Sequence, residues 1–330
     1  MTGPAPVRKA STARVVSDYP PPFSRRFLAP RFWLTWLGLG ALRLLACLPS
    51  AVRTGLGDLF GDLIFTHHRK RRRIVLTNLA WCFPELDEAH RRRMARAYSR
   101  HMARTFIDYG LLWWGSERRL ERLLALEGEE HLQECVRQGR PVILLTCHNA
   151  ALDFGAAALT RVHPSVGLIK EARNPLIDWV MARGRTRFKG ILYRREQGMR
   201  PVVRAIRAGH AFYYLPDEDL GPDNSVFVPF FKVQTATITA LPRLARLCGA
   251  AVMPYTTYYR AEDGRYVARV FPPLEAFPGE DEVEDAARMN RELEGLIRLA
   301  PEQYMWSLRI FQTRPNGEPN PYKRRRADGG

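Results

Sequence analysis

A histidine and an aspartate five residues apart, His148 and Asp153, have the types and spacing that point most directly to chemistry. They lie in the stretch PVILLTCHNAALDFG, residues 141–155, which begins as an apolar run and continues with small apolar residues. We predict a buried strand followed by a helix, with His148 in the turn between them. The Asp153 carboxylate could then hold one imidazole nitrogen and leave the other free as a general base. The alternative is a surface turn with a helix-capping aspartate.

Cys147 precedes this histidine and raises the alternative of a Cys/His nucleophile. Neighbouring residues on an extended strand point to opposite faces, so Cys147 should face away from His148. We therefore interpret Cys147 as a small core residue.

Arg183 and Arg185 flank a glycine at the end of a predicted helix. Guanidinium groups bind phosphate through paired hydrogen bonds, so both residues are candidates for substrate binding. The alternative is a helix C-terminus at which cations favour the helix dipole.

Asp217, Glu218 and Asp219 follow another predicted strand. If the turn stays extended, Asp217 and Asp219 share a face, and a Mg²⁺ site is conceivable. No further oxygen-rich cluster completes such a site, so we predict no metal. We expect Asp217 to close the active site, with Arg185 as a partner to consider, and a solvated acidic turn is the alternative.

Strands and helices alternate from Pro141 onward, which predicts an α/β fold with a mostly parallel sheet covered by helices. The predicted strands are 142–146, 166–169, 191–193, 211–215, 251–258 and 266–271. The predicted helices are 129–138, 152–159, 175–185, 199–208, 236–248 and 282–299.

The N-terminal part divides into two segments. Residues 1–27 are basic and rich in proline, which predicts a disordered tail. Residues 28–56 contain the apolar run 32–49, interrupted by Arg43, and we predict a membrane-anchor helix that either spans or half inserts. A buried core helix is the alternative. The basic cluster 68–73 suits anionic headgroups, or is merely solvated.

A long amphipathic helix is predicted for residues 87–112. Residues 94, 98, 102 and 106 form an apolar stripe that should face the core. Arginines at 92, 96, 100 and 104 repeat on the opposite face, and such like charges repel. We expect this face to have an anionic partner. The folded catalytic domain should cover 57–316, followed by a basic tail at 317–330.

The net charge of +17 predicts attraction to an anionic partner such as nucleic acid, a phospholipid surface or an acidic protein. Five cysteines without paired spacing argue against a disulfide framework or a zinc site and fit a reducing, cytosol-facing compartment. The sequence has no phosphate-binding glycine loop, dinucleotide fingerprint or GxSxG motif.

The stretch from His148 to Asp153 resembles the His-x-x-x-x-Asp/Glu motif of the lysophospholipid acyltransferase superfamily. The chain is similar to the late acyltransferases of bacterial lipid A, the lauroyl and myristoyl transferases. Further segments that carry this likeness, in the family's order, are 78–84, 179–185, 215–219 with 228–231, and 300–306 with 313–315. Many family members have glutamate where this chain has Asp153.

The resemblance implies transfer of a fatty acyl chain from an acyl carrier protein thioester to a hydroxyl of an anionic lipid A precursor. The site would face the cytoplasm at the bacterial inner membrane, without a cofactor. His148 would act as the base and Asp153 as its orienting carboxylate, with backbone N–H groups or Arg185 as oxyanion donors. The resemblance also favours Arg185 as a site residue, and Arg194 and Arg195 match a basic acceptor-binding block of the superfamily.

Two other functions remain open at this point. One is a lysophospholipid or glycolipid acyltransferase with the same chemistry and another acceptor. The other is a non-catalytic basic protein that binds nucleic acid or membrane. We expect no nucleic-acid partner, because aromatic residues are not interleaved with the basic runs.

Overall fold

The computed structural model describes residue 15 and residues 17–323 of the 330-residue chain. Its strands are β1 (Leu124–Glu127), β2 (Val142–Leu145), β3 (Ser165–Ile169), β4 (Gly190–Arg194), β5 (Ala211–Tyr214), β6 (Ser225–Phe230), β7 (Val233–Ile238), β8 (Ala251–Arg260) and β9 (Arg265–Val270). Its α-helices are α1 (Trp33–Leu45), α2 (Ser50–His67), α3 (Arg69–Cys82), α4 (Glu88–Trp114), α5 (Glu117–Leu123), α6 (Glu129–Arg137), α7 (Leu152–Val162), α8 (Pro175–Arg185), α9 (Arg200–Arg207), α10 (Ala240–Cys248) and α11 (Glu282–Arg298).

Seven strands form one sheet in the order β1-β9-β8-β2-β5-β3-β4. Neighbouring strands are parallel except β8 and β9, so the predicted mostly parallel α/β sheet is confirmed. The chain crosses from β2 through α7 to β3, and β5 later enters between them. The carboxyl ends of β2 and β5 therefore lie side by side, the position at which α/β folds commonly bind ligands.

The central strand β2 is buried on both faces because helices cover both sides of the sheet. Ile143, Leu145 and Cys147 face one core cluster, and Val142 and Leu144 face the other. Cys147 is buried, and burial raises the pKa of its thiol well above the usual value. The interpretation of Cys147 as a core residue is confirmed.

Strand β1 and the antiparallel hairpin of β6 and β7 were not predicted. Residues 233–238 form β7 and pair with β6, so α10 begins at Ala240 rather than at the predicted Ala236. The β-branched residues of this segment suit a strand.

The predicted anchor segment, residues 28–56, forms two short 3₁₀ turns, the 13-residue helix α1 and the beginning of α2. Among the described residues, no helix combines the length and the apolar character that crossing a membrane requires. A spanning anchor helix is therefore not supported. The physical reason is that α1 ends at Leu45, inside the apolar run, and the chain continues after Pro49 as α2, which packs along α4.

Part of the predicted disordered tail has defined contacts. Ser17 donates a hydrogen bond to the carbonyl of Leu192, and the Tyr19 hydroxyl donates to Asp178 on α8. Phe23 packs on Trp179 with ring centroids 5.3 Å apart. Residues 17–27 thus lie along α8, while residues 1–14 and 16 of that predicted tail lie outside the described residues.

The predicted C-terminal tail also begins in contact with the core. The buried Tyr322 hydroxyl donates to Asn78 on α3 over 2.5 Å and accepts the backbone N–H of Phe311. Asn78 in turn donates to the carbonyls of Trp306 and Leu308. Residues 324–330 lie outside the described part.

Helix α2 packs against α4 so closely that glycine is required at two positions. A Cβ at Gly61 would lie 2.6 Å from the backbone nitrogen of Arg100, and one at Gly57 would lie 2.8 Å from the Cα of Arg104. This close approach brings the acidic residues of α2 against the basic face of α4.

The arginine stripe of α4 finds its anionic partner inside the chain. Arg96 and Arg100 each form two hydrogen bonds with Asp62, at 2.6–2.8 Å, and Arg104 pairs with Asp58. The two arginines lower the pKa of Asp62, so its carboxylate stays charged. The anionic partner expected for this face is therefore the chain itself, so no separate partner is needed to offset these charges.

The apolar stripe of α4 was predicted correctly only in part. Tyr98 is buried, and Met94 and Met102 pack on the core, but Phe106 is exposed. Gly110, rather than Phe106, makes the close contact of α4 with the end of α1. A Cβ at Gly110 would clash with Ala46.

Candidate active site

His148 lies in the loop between β2 and α7 with 19% of its side chain exposed. The loop is held by the segment before Trp306: Ala150 donates to the carbonyl of Gln303, and Met305 donates to the carbonyl of His148. Asn149 forms an isolated β-bridge with Tyr304. These backbone bonds fix the histidine at the carboxyl edge of the sheet.

Asp217, at the end of neighbouring β5, holds this histidine at two points. Its Oδ1 lies 2.7 Å from Nδ1 of His148, and its Oδ2 accepts the backbone N–H of His148 over 2.7 Å. Only 1% of the Asp217 side chain is exposed. A carboxylate at Nδ1 favours the tautomer with the proton on that nitrogen and leaves the Nε2 lone pair free.

The pKa of His148 is raised above its usual range. Burial by itself disfavours the charged imidazolium, but the charge and hydrogen bond of Asp217, with help from Glu218, outweigh it. The imidazole is therefore a stronger base than a free histidine.

Asp153 is not the carboxylate that contacts the imidazole, contrary to the predicted pairing. It accepts two hydrogen bonds from Arg185, from Nε at 2.9 Å and from Nη2 at 3.1 Å, and one from the Tyr109 hydroxyl at 3.0 Å. In the first turn of α7 its side chain points to α8 and α4 rather than back to the loop. The expected pairing of Arg185 with Asp217 is corrected for the same reason.

Tyr109 belongs to this ion pair and was missed in the sequence. Burial first, and the charge of Asp153 second, raise its pKa well above the usual value, so it remains a hydrogen-bond donor. The same carboxylate raises the pKa of Arg185 against the opposing effect of burial. Tyr109 lies on the inner face of the long amphipathic helix, and nothing in its local sequence distinguishes it from a core aromatic residue.

Glu218 lies beside the free nitrogen of the histidine. Its Oε1 is 3.6 Å from Nε2 of His148, and its other oxygen accepts a hydrogen bond from Arg195 over 2.8 Å. Arg195 therefore reaches the site, since it follows β4 at the same edge of the sheet. Arg194 points elsewhere: it pairs with Glu171 at 2.6 Å and stacks over Tyr19.

Asp219, the third residue of the acidic run, holds the C-terminal segment in place through hydrogen bonds. It accepts the hydroxyl and the backbone N–H of Thr313. Within residues 15 and 17–323, no group of three or more histidine, cysteine or carboxylate side chains is arranged to hold a metal ion.

A cavity of about 230 Å³ extends from His148 between α7 and the sheet. His148, Asp153, Arg185, Arg195 and Glu218 form its polar end. Small and apolar residues form most of the remaining lining, namely Leu152, Ala156 and Thr160 on α7, Gly167, Leu168 and Ile169 on β3, Gly190, Ile191 and Leu192 on β4, and Leu215; Ser165, Lys170 and Tyr213 also contribute. The predicted site residue Arg183 does not line this cavity; it stacks over Trp179 at 5.1 Å.

Several residues around this cavity are small or closely packed. Leu152, Ala156 and Thr160 repeat every four residues and share one face of α7. Opposite them, a Cβ at Gly167 would lie 3.0 Å from Leu192, and one at Gly190 would lie 2.9 Å from the carbonyl oxygen of Arg185. The result is an apolar slot that ends at the histidine.

A buried carboxylate, an imidazole with a free nitrogen and an apolar slot define an α/β enzyme that can activate a hydroxyl group beside a bound hydrocarbon chain. Residues 20–313 match the sequence-family model of the bacterial lipid A biosynthesis acyltransferases. The chain belongs to this family and is an acyltransferase, as its resemblance predicted.

Comparison with individual proteins supports the same family membership. The chain is 38% identical to the lipid A biosynthesis lauroyltransferase of Escherichia coli K12, over 92% of this chain and 99% of that protein. It is 35% identical to a lipid A biosynthesis acyltransferase of Haemophilus influenzae, over 93% and 96% of the two chains. Identity to the lipid A biosynthesis myristoyltransferase of Escherichia coli K12 is 33%, over 94% and 96%.

Proposed function

We propose that this enzyme transfers a fatty acyl chain from an acyl carrier protein thioester to a hydroxyl of a phosphorylated lipid A precursor at the cytoplasmic face of the inner membrane. The observation that carries the proposal is the fixed imidazole: Asp217 holds Nδ1 while Nε2 faces a cavity that continues as an apolar slot. This arrangement places a general base next to a binding site for a hydrocarbon chain.

The chemical step is a direct acyl transfer. Nε2 of His148 removes the proton of the acceptor hydroxyl as that oxygen attacks the thioester carbonyl carbon. The tetrahedral intermediate then collapses with cleavage of the carbon–sulfur bond, and the imidazolium returns its proton to the leaving thiolate. The products are an ester and a free carrier thiol. Asp217 stabilises the imidazolium throughout by its charge.

Arg185 is our candidate for stabilising the negative oxygen of the intermediate. Its Nε and Nη2 groups bind Asp153, and its Nη1 group has no acceptor among the residues that the structure describes. Asp153 and Tyr109 hold the guanidinium beside the cavity, so Nη1 is a preorganised donor. In this proposal Asp153 acts by positioning Arg185.

The slot suits the acyl chain. Its walls are mainly aliphatic or glycine, and it runs away from His148 between α7 and β3, β4 and β5. Each methylene buried there contributes about 0.8 kcal/mol, so a chain that fills the slot binds better than a shorter one.

An exposed apolar face supports membrane association. It comprises Trp33, Leu34, Leu37 and Leu44 of α1, and Val52, Leu59, Phe60, Leu63 and Ile64 of α2. Exposed cations border it, including Arg25, Arg26, Arg31, Arg43, Arg69 and Lys70. Apolar helix faces bordered by cations bind the surface of an anionic bilayer, so a half-inserted α1 and α2 is our proposal for the anchor.

The test is an assay of the purified enzyme with lauroyl and myristoyl carrier protein and two acceptors, a lipid A precursor and lysophosphatidic acid. We expect mass spectrometry to show one added acyl chain on the lipid A precursor. The His148→Ala variant should lose roughly 10²–10⁴ in rate with its fold retained. Transfer only to lysophosphatidic acid would replace the proposed acceptor, and full activity of His148→Ala would contradict the proposed base.

A further inference from the structure

A second cavity, of about 730 Å³, lies on the far side of α8 from the catalytic slot. We refer to it as the tryptophan cavity. Its lining comes from the end of α4, from α8 and the residues after it, and from the N-terminal segment, and includes Trp113, Trp114, Trp179, Arg183, Gly184 and Arg187. It is large enough for a ligand of several rings.

The aromatic walls are held in place by specific contacts. The Trp179 indole donates to the carbonyl of Pro21 over 3.0 Å. Trp113 and Trp114 are perpendicular, with ring centroids 5.5 Å apart. Gly184 is needed behind them, because a Cβ there would lie 2.6 Å from Nε1 of Trp113. The rings therefore form a preformed surface.

Three polar groups of this cavity lack a hydrogen-bond partner among the described residues: the indole N–H groups of Trp113 and Trp114 and the guanidinium of Arg183. The indole N–H groups of Trp33, Trp36, Trp179 and Trp306 donate to backbone carbonyls. Those of Trp113 and Trp114, like that of Trp81 outside the cavity, have no acceptor within the described residues, and neither does the exposed guanidinium of Arg183, whose contact is with the Trp179 ring. Arg187 differs, since it donates to the carbonyls of Leu112 and Gly115.

The tryptophan cavity is separated from the catalytic site by a single layer of side chains. Trp113 packs on Tyr109 at 5.1 Å, and the Tyr109 hydroxyl donates to Asp153. Arg183 and Arg185 are two residues apart on α8, which turns them to opposite sides of the helix. One helix thus presents a cation to each cavity.

We propose that the tryptophan cavity binds a phosphorylated sugar headgroup of the acceptor lipid. Flat aromatic rings pack against the C–H face of a sugar ring, indole N–H groups donate to its hydroxyls, and a guanidinium binds phosphate. The adjacent apolar face of α1 and α2 would let the lipid's other chains remain in the bilayer, while the part of the lipid that carries the reacting hydroxyl extends past α8 to His148. This assignment rests on the proposed function and names where its acceptor is held.

The first test is binding without turnover, using the full chain in detergent. The probes are glucosamine 6-phosphate, glucosamine and inorganic phosphate, followed by tryptophan fluorescence and ligand-observed saturation-transfer NMR. We expect glucosamine 6-phosphate to bind more tightly than either fragment. Arg183→Gln should weaken that binding about tenfold, as loss of one charge-assisted contact predicts. Arg122→Gln, an exposed arginine on α5, is the matched control and should bind as the wild type does.

The second test is kinetic and separates the two proposals. Arg183→Gln should raise KM for the lipid A precursor about tenfold and leave kcat and KM for the acyl donor unchanged. His148→Ala should bind glucosamine 6-phosphate normally while losing turnover. Equal binding of phosphate and glucosamine 6-phosphate, or an unchanged KM and binding constant in Arg183→Gln, would overturn this site. Normal sugar-phosphate binding by an enzyme that does not acylate the precursor would overturn the proposed function alone.

Discussion

At the scale of single residues, the site contains two carboxylates with different tasks. Asp217 contacts the imidazole and the backbone of His148, whereas Asp153 contacts Arg185 and Tyr109. The distinction matters because the first carboxylate sets the basicity of the histidine and the second places a guanidinium. Substituting each one should therefore change different measurable properties.

Replacing Asp217 with asparagine should change the pH dependence of the reaction. The base works when neutral, so activity rises with pH through the pKa of His148, which Asp217 raises. In Asp217→Asn the opposing effect of burial dominates, so the acid limb of kcat/KM should move to lower pH while the rate falls roughly 10²–10⁴-fold. A pH–rate profile of both enzymes checks this, and an acid limb that stays in place would show that Asp217 does not set the pKa.

Replacing Asp153 with asparagine should act on Arg185 instead. The guanidinium would lose its charged partner in a largely buried position, and breaking such a pair costs about 3 kcal/mol of stability. We expect a lower midpoint in denaturant unfolding and reduced kcat, but an acid limb at the wild-type pH. Tyr109→Phe, which removes only one hydrogen bond to Asp153, is the milder control. A shifted acid limb in Asp153→Asn would mean that this carboxylate does orient His148.

At the scale of elements, α2 acts as an internal counter-charge for α4. Asp58 and Asp62 lie one helical turn apart and face arginines with the same four-residue repeat. Gly57 and Gly61 allow the helices to approach closely enough for these pairs to form. The repulsion within the arginine stripe is thereby offset inside the fold, because Arg96, Arg100 and Arg104 are paired with Asp62 and Asp58.

This packing can be tested with two glycines of the same helix. Gly61→Ala would place a Cβ 2.6 Å from the Arg100 backbone nitrogen, and overpacking of this kind costs about 1–3 kcal/mol. Gly55→Ala has nothing within 4 Å and should instead stabilise the helix by about 0.5–1 kcal/mol. Denaturant unfolding of the two variants measures both effects. Equal stability of the two variants would contradict the close approach of α2 and α4.

At the scale of the whole molecule, an apolar face and a basic surface occur together. The described chain contains no helix suited to spanning a bilayer, but the outer faces of α1 and α2 leave large apolar side chains exposed. His148, the base in the proposed reaction, lies at the sheet edge near α8, on which the N-terminal segment packs. Such an arrangement suits an enzyme that takes a lipid acceptor from a membrane surface.

Charges placed on this face should release the enzyme from membranes. Leu34 and Leu37 are 80% and 70% exposed on α1, so Leu34→Glu/Leu37→Glu should leave the core intact. We expect binding to vesicles containing phosphatidylglycerol to fall at least about tenfold, and the remaining binding to be more sensitive to salt. Leu247→Glu, at an exposed leucine on α10, is the control. Unchanged vesicle sedimentation of the double variant would exclude this face as the anchor.

Local sequence was sufficient for much of the fold. Apolar runs and alternation located β2, β3, β4, β5, β8 and β9, because side-chain periodicity reports which face of a segment is buried. The same reasoning placed His148 at the end of a buried strand and Cys147 in the core. The hairpin of β6 and β7 was missed because its strands form a separate sheet that packs on α11, so they lack the two-sided burial that gives β2 its continuous apolar run.

Which residues meet was decided by the tertiary structure. Spacing in the sequence suggested Asp153 for the imidazole, but parallel pairing of β2 with β5 brings Asp217 to it from 69 residues away. The arginine stripe was recognisable in the sequence, whereas its partners Asp58 and Asp62 emerged only when α2 folded back on α4. Periodicity encodes the direction in which a side chain points. The partner it finds there depends on strand order and helix packing, which long-range contacts determine.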